Sequence, residues 1–192
     1  TLFCPARPEA LELGEAAAVL TLADGRRLTA ALVVAADGAD SWTRQTAGIE
    51  VKFKPYGQHG VVANFDCSRP HRDIACQWFR ADGVLAYLPM PGNLMSMAWS
   101  TPADHADALL ALSPAALCER VAAAGNGRFG DLTLVTPPAA FPLRLMRAPR
   151  TVQPRLALIG DAAHAIHPLS GHGINLGFQD ARELARVLAE KP

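Results

Sequence analysis

The chain has 192 residues, half of them hydrophobic and 19% charged, with 18 basic and 18 acidic side chains and a formal net charge of zero. That length suits one domain or pieces of two, and the composition excludes a disordered protein and gives no bulk attraction to nucleic acid or to an acidic membrane. No apolar run approaches the ~20 residues of a membrane-spanning helix, and no secretory signal pattern opens the chain. Cys4, Cys67, Cys76 and Cys118 contain no C-x-x-C pair, which points to reduced, partly buried thiols rather than zinc or redox motifs.

The first two apolar, β-favouring runs are Ala17–Leu22 and Arg27–Ala36, separated by the turn signal Ala23-Asp24-Gly25. The second run closes on Leu32-Val33-Val34-Ala35-Ala36, nearly continuous in apolar character, which predicts a strand buried on both faces. Further strands are expected at Gly60–Phe65, Ile74–Phe79, Val84–Pro89 and Leu94–Ser100, the last two joined by Met90-Pro91-Gly92-Asn93. This stretch reads as an antiparallel sheet. Thr101-Pro102 and Ser113-Pro114 each look like an N-cap followed by a first-turn proline, opening helices towards Leu112 and Ala124, and Gly125-Asn126-Gly127 stops the second. Arg155–Gly160 reads as another buried strand. Ile174 to about Ala189 reads as an amphipathic helix, with Leu176, Ala181, Leu184, Ala185 and Leu188 at helical spacing. The change in strand style predicts an α/β (α+β) chain in which 1–50 and 151–192 form one unit and 51–150 another.

Chemistry concentrates in two places. In Ala36-Asp37-Gly38-Ala39-Asp40-Ser41, followed by Arg44, an acid stands at the carboxyl end of a sheet strand, where open α/β folds bind ligands. Asp37 can accept a ribose hydroxyl or a phosphate-bound water and Arg44 can pair with phosphate; alternatively Asp37 only caps the next segment. The second place is Gly160-Asp161-Ala162-Ala163-His164, then Pro168 and Gly171-His172-Gly173-Ile174-Asn175-Leu176-Gly177. Small side chains at Ala162 and Ala163 admit a bulky group. The glycines leave backbone N–H groups uncovered as the chain enters a helix, which favours negative charge or a carbonyl oxygen. A tight strand-loop-helix connection is the plainer alternative. Asp161, His164, His167 and His172 lack a recognisable metal-ligand spacing. Trp42, Trp78 and Trp99 can line a pocket or pack in a core. Arg144 and Arg147 can face a cofactor or solvent.

Taken together the two motifs resemble those of the flavoprotein aromatic hydroxylases. Val33 to Ser41 with Arg44 resembles their Asp-Gly motif, Gly160 to His164 with Pro168 their second FAD motif, and His167 to Asp180 the signature of the ubiquinone-biosynthesis branch. Leu85-Ala86-Tyr87-Leu88-Pro89-Met90 is similar to its substrate-domain sheet. His172 stands where this branch usually has Gln, a change that FAD binding through backbone amides should survive. The family's opening strand and G-x-G-x-x-G turn have no counterpart, and with Thr1 as first residue the N-terminal dinucleotide-binding segment is expected to be missing.

The resemblance implies a partial FAD-binding three-layer domain with an inserted, mostly antiparallel substrate-binding sheet, as in p-hydroxybenzoate hydroxylase-like flavoproteins. It implies an FAD-dependent monooxygenase, with NAD(P)H as reductant, that hydroxylates an aromatic ring of a ubiquinone precursor. By position, Gly160 and Asp161 would hold the ribityl part of FAD. Gly171, Gly173, Ile174, Asn175 and Leu176 would border the isoalloxazine carbonyl edge, with Pro168 beside the ring. Asp37 and Arg44 would lie near the pyrophosphate and the nicotinamide approach. No side chain is assigned as a catalytic base, and no metal is expected. The partners implied are an aromatic, polyprenylated small molecule and other ubiquinone-biosynthesis proteins, with no nucleic acid, in a cytoplasmic protein peripheral to the inner membrane. Other readings are a flavoprotein monooxygenase or reductase on another aromatic or polyprenyl substrate, or a non-catalytic binding scaffold. The chain by itself is expected to self-associate and to hold no stoichiometric FAD.

Overall fold

The computed structural model describes residues 1–168 and 171–190; Leu169 and Ser170 of the signature segment lie outside the described residues, as do the last two of the chain. The chain divides into two compact units, Thr1–Lys54 with Arg144–Pro192, and Pro55–Leu143.

In the first unit, β1 (Pro8–Leu13), β2 (Ala18–Leu22) and β3 (Arg27–Ala30) form an antiparallel meander. The β2–β3 turn uses Gly25 at φ +84, and the Asp24 carboxylate accepts the Arg26 N–H. The expected single strand Arg27–Ala36 is broken after Ala30. Its second half, β4 (Val33–Ala35), joins a different sheet in the order β11 (Val152–Gln153), β12 (Leu156–Leu158), β4. The break has a visible cause: Arg155 donates to the carbonyls of Ala31 and Glu15, and the Val33 N–H donates to the Arg155 carbonyl. Those bonds turn the chain out of the meander. β4 is an edge strand with Val34 42% exposed, so it is covered on one face and not on both. β4 and β12 run parallel, with Val33 opposite Leu156 and Ala35 opposite Leu158.

A short helix α1 (Trp42–Thr46) follows β4, and a longer one, α4 (Gly173–Ala189), ends the described chain. α4 is strongly amphipathic, yet no residue along it is fully buried; Ile174 and Phe178 are 69% and 68% exposed. The unit's small core gathers Ala35, Ile49, Leu156, Leu158, Ala162 and Ala163.

The chain leaves this unit along β5 (Lys52–Cys67) and returns along β10 (Ala139–Arg147). Between them, β6 (Cys76–Arg80), β7 (Gly83–Pro89) and β8 (Leu94–Pro102) complete an antiparallel sheet in the order β5-β8-β7-β6, with β9 (Leu132–Leu134) against β5. Alternation along these strands sends Val61, Phe65, Leu85, Tyr87, Met97 and Trp99 to one face. There they pack with α2 (Ala103–Leu110) and α3 (Pro114–Ala124) in a single core. Burial of each such side chain contributes ~1.5–3 kcal/mol. Trp99 is a core residue, and Trp78 packs edge-on against Tyr87.

Ser113 caps α3 by accepting the Ala116 N–H at 3.3 Å, with Pro114 at the first position. Thr101 does not cap α2. Its hydroxyl donates to the Asp82 carbonyl and contacts His105 Nδ1, which leaves the helix start without a side-chain cap. All four cysteines are free thiols; burial, with Asp66 nearby, pushes the Cys67 thiol up to about 11.

Candidate functional site

The parallel pairing of β4 with β12 brings their carboxyl ends side by side, and the Ile159 N–H extends the pairing by donating to the Ala35 carbonyl at 3.0 Å. Each strand then turns on a glycine in the left-handed region, Gly38 at φ +86 and Gly160 at φ +58. The two motifs, far apart in sequence, are therefore neighbours in space.

At the first turn Asp37 spends both carboxylate oxygens on α1. Oδ1 accepts the Ser41 hydroxyl at 2.5 Å and Oδ2 the Thr43 N–H at 2.9 Å. Burial alone would raise the Asp37 pKa, but these hydrogen bonds outweigh it and hold the carboxyl below its ordinary value. Ser41 in turn accepts the Arg44 N–H. The cap alternative thus describes what Asp37 does here. Arg44 is 1% exposed, and its guanidinium donates Nη1–H to the Ala162 carbonyl and Nη2–H to the Ala39 carbonyl. Its charge faces carbonyls of the two turns.

At the second turn Gly160–Ala162 form a single 3-10 turn, with Asp161 exposed. Ala162 and Ala163 do not border open space. They are 0% and 1% exposed and pack into the unit's core with Ala35, Leu156 and Leu158, so their small size serves close packing and not the approach of a bulky group. Burial pushes the His167 imidazole below its ordinary value, favouring its neutral form.

A cavity of about 840 Å³ opens beside these turns. Ala36 and Gly38 line it from the first turn and Gly160 and Asp161 from the second, facing Pro168, Gly171, Gly173 and Ile174. Ile159, Ala165, Ile166, Phe178 and Ala181 add an apolar wall. Asp37, Arg44, Asn175 and Leu176 are not among the lining residues. Among the described residues the polar features are few. Asp161 supplies a carboxylate. The Gly171 N–H is used by the Pro168 carbonyl at 2.9 Å. α4 has no side-chain N-cap, and its Leu176 N–H donates to the His172 carbonyl, so the first-turn N–H groups of Gly173, Ile174 and Asn175 have no intrahelical acceptor.

The residues that support this cavity include two, Gly177 and Asp180, that lie within the motif and its signature segment but carry no role in the sequence reading. A Cβ on Gly177 would lie 3.3 Å from the Gly160 Cα, so helix and turn touch backbone to backbone. Asp180 Oδ2 accepts the Gly160 N–H at 2.8 Å and lies 2.7 Å from His164 Nε2. The available signal was the three-residue spacing of Gly177 and Asp180, which places both on one face of the helix.

A slot with an apolar wall, close backbone approach and first-turn amides that have no intrahelical acceptor fits a planar ring with a carbonyl edge. A Cβ on Gly38, Gly171 or Gly173 would meet nothing within 4 Å, so there is room at the glycines for such a ring. Residues 9–191 match the family model described as an FAD binding domain. The chain belongs to the FAD-binding domain family. Within it, the chain is 42% identical to the ubiquinone hydroxylase UbiL of Rhodospirillum rubrum, over 98% of this chain and 44% of that protein. It is 40% identical to the 3-demethoxyubiquinol 3-hydroxylase of Escherichia coli, over 98% of this chain and 48% of that one. The crystal structure of Pseudomonas aeruginosa PqsL in complex with 2-aminobenzoylacetate superposes with a TM-score of 0.79 at 26% identity, covering 96% of this chain and 53% of PqsL. The chain thus spans just under half the length of these two curated relatives. The mixed α/β architecture with its antiparallel sheet is that of the FAD-dependent hydroxylases, as the motifs led us to expect.

Proposed function

We propose that this chain forms part of an FAD-dependent monooxygenase that uses NAD(P)H to hydroxylate the aromatic ring of a ubiquinone precursor. The observation that carries the reading is the convergence of the Gly38 turn, the Gly160–Asp161 turn and the start of α4 on one cavity, in a chain 42% identical to a ubiquinone hydroxylase. FAD, when bound, supplies the redox chemistry that lets O₂ oxidise the ring.

The chain's own residues bind and orient. Asp161 accepts hydroxyls of the ribityl chain. The amides of Gly173, Ile174 and Asn175 face the carbonyl edge of the flavin ring, with Leu176 behind them in the same turn, and Pro168 flanks the ring while Gly160 and Gly171 let it lie close to the backbone. Ile166, Ile174 and Phe178 exclude water from one side. Asp37 and Arg44 act at one remove, by shaping the turns on which the cofactor rests.

On the face of the antiparallel sheet opposite its helices, Val62, Ala98 and Ala86 align across β5, β8 and β7 as a row of small apolar side chains, with Asn64 and Ser96 in the next row. We assign this face to the aromatic substrate. No helix among the described residues is long and apolar enough to cross a membrane. We place contact with a polyprenylated substrate at the periphery of the inner membrane, from the cytoplasm and alongside other proteins of the same biosynthesis.

The test is made on the full polypeptide. It should be yellow as purified and consume NAD(P)H faster when a polyprenylated phenol is added, with hydroxylated product seen by mass spectrometry. Asp161→Ala should lose flavin. A colourless protein that takes up no FAD would refute the reading, as would flavin reduction without ring hydroxylation for the monooxygenase assignment.

A further inference from the structure

Helix α4 meets the Gly160 turn through two residues three apart on one helical face. At Gly177 the absence of a side chain lets the backbones touch. At Asp180 a single carboxylate oxygen gathers the Gly160 N–H and the His164 ring. A carboxylate oxygen accepts, so His164 carries a proton on Nε2. His164 begins β13 (His164–Ala165), which is held to β10 by the pairing of His164 with Arg147. One oxygen therefore joins a strand end, a second strand and the helix.

Gly160 holds a left-handed φ of +58, and the orientation of its peptide plane sets the direction in which Asp161 leaves the strand. The side chain that accepts the Gly160 amide thereby governs where the Asp161 carboxylate stands relative to the first turn of α4. Both are polar features of the cavity among the described residues. Asp180 itself is not among the lining residues and its Oδ2 is directed inward, so it acts through geometry and not by touching a ligand.

We propose that Asp180 is a positioning residue for the flavin cofactor: by holding the Gly160 amide and the His164 ring on one oxygen, it sets Asp161 and the amides of the α4 start at the separation the cofactor requires. This rests on the reading above that Asp161 and the glycine loop hold FAD. A residue that only stabilised the fold would change the melting temperature and leave the affinity of the folded protein for FAD unaltered.

The experiment uses the full polypeptide and its Asp180→Ala, Asp180→Asn and Asp161→Ala variants. FAD affinity is read by flavin-fluorescence titration, the setting of the bound flavin by visible circular dichroism, and the apoprotein by thermal melting. Asp180→Ala should raise the Kd for FAD about tenfold, the scale of one lost charge-assisted hydrogen bond, and alter the dichroism of the flavin that remains. Asp180→Asn, whose amide oxygen still accepts both donors, should stay within about threefold of wild type. If Asp180→Ala does not fold, Asp180→Ser, polar and too short to reach Gly160, takes its place with the same expectation. An Asp180→Ala protein that binds FAD like wild type, or an Asp180→Asn protein as weak as Asp180→Ala, overturns the inference. If Asp161→Ala weakens FAD binding and Asp180→Ala does not, this inference fails alone; if neither does, the cofactor reading fails with it.

Discussion

Arg44 and Ala162, 118 residues apart in the chain, are joined by a 2.9 Å hydrogen bond from the guanidinium Nη1 to the backbone carbonyl. Through its second nitrogen, Arg44 holds the Ala39 carbonyl at 2.8 Å. A single buried side chain thus ties together the turns that end β4 and β12. Arginine suits the task, because its planar fork offers donors in two directions while its charge strengthens both bonds.

Removing that clamp should be costly. Arg44→Met keeps the apolar stem but strands two carbonyls away from water, and is expected to lower the unfolding free energy by ~2–4 kcal/mol. Arg44→Lys should fall between, since an ammonium can reach one carbonyl but not both. Urea denaturation followed by circular dichroism measures the difference; a loss below ~1 kcal/mol for Arg44→Met would show that the two turns hold their places without it.

Asp37 makes stability depend on pH in acid. Its folded pKa lies below the ordinary 3.8, so its contribution is complete above that value and is lost as pH falls through the folded pKa. Asp37→Asn cannot accept the Thr43 N–H on its amide nitrogen and should cost ~1 kcal/mol at neutral pH, as a lost cap does. The two proteins should converge in stability below pH 3.8. A thermal-melt series across this range tests it, and a gap that persists unchanged in acid would contradict the assignment.

Gly83 opens β7 at φ +124, and a Cβ there would lie 1.9 Å from the Ser100 carbonyl oxygen and 3.0 Å from the Thr101 Cα. Both obstacles are backbone of the neighbouring strand, so no rotamer change relieves them. Gly83→Ala should destabilise by about 3 kcal/mol, near the top of the usual overpacking range. Gly92→Ala, also at positive φ but with open space around it, should cost about 1 kcal/mol. Parallel unfolding curves would show whether the steric difference separates the two variants.

Local chemistry was legible in the sequence where one short segment decides the outcome. Ala23-Asp24-Gly25 became a hairpin turn, Ser113-Pro114 a capped helix start, and the alternation in Val84–Pro89 and Leu94–Ser100 a pair of antiparallel strands. Each depends on side-chain period and on residues with special φ preferences, which act over a few positions. The family was legible for the same reason, because its glycine and aspartate motifs are local requirements of backbone shape.

Tertiary structure alone decided what those residues touch. Arg27–Ala36 reads as one strand because its apolar character is continuous. Hydrogen bonds from Arg155, more than a hundred residues later, divide it between two sheets. Ala162 and Ala163 are small in the sequence whether they face a ligand or a core; only the packing of Leu156 and Leu158 shows that they face the core. Arg44 is a cation in any reading of its neighbours, and only its burial against the carbonyls of Ala39 and Ala162 makes it a clamp. The sequence by itself determined the local conformations and the family, since both are written in contiguous residues. The partners of Asp37, Arg44 and Asp180 came from the fold, because a hydrogen bond depends on distance in space, which the order of residues along a chain does not contain.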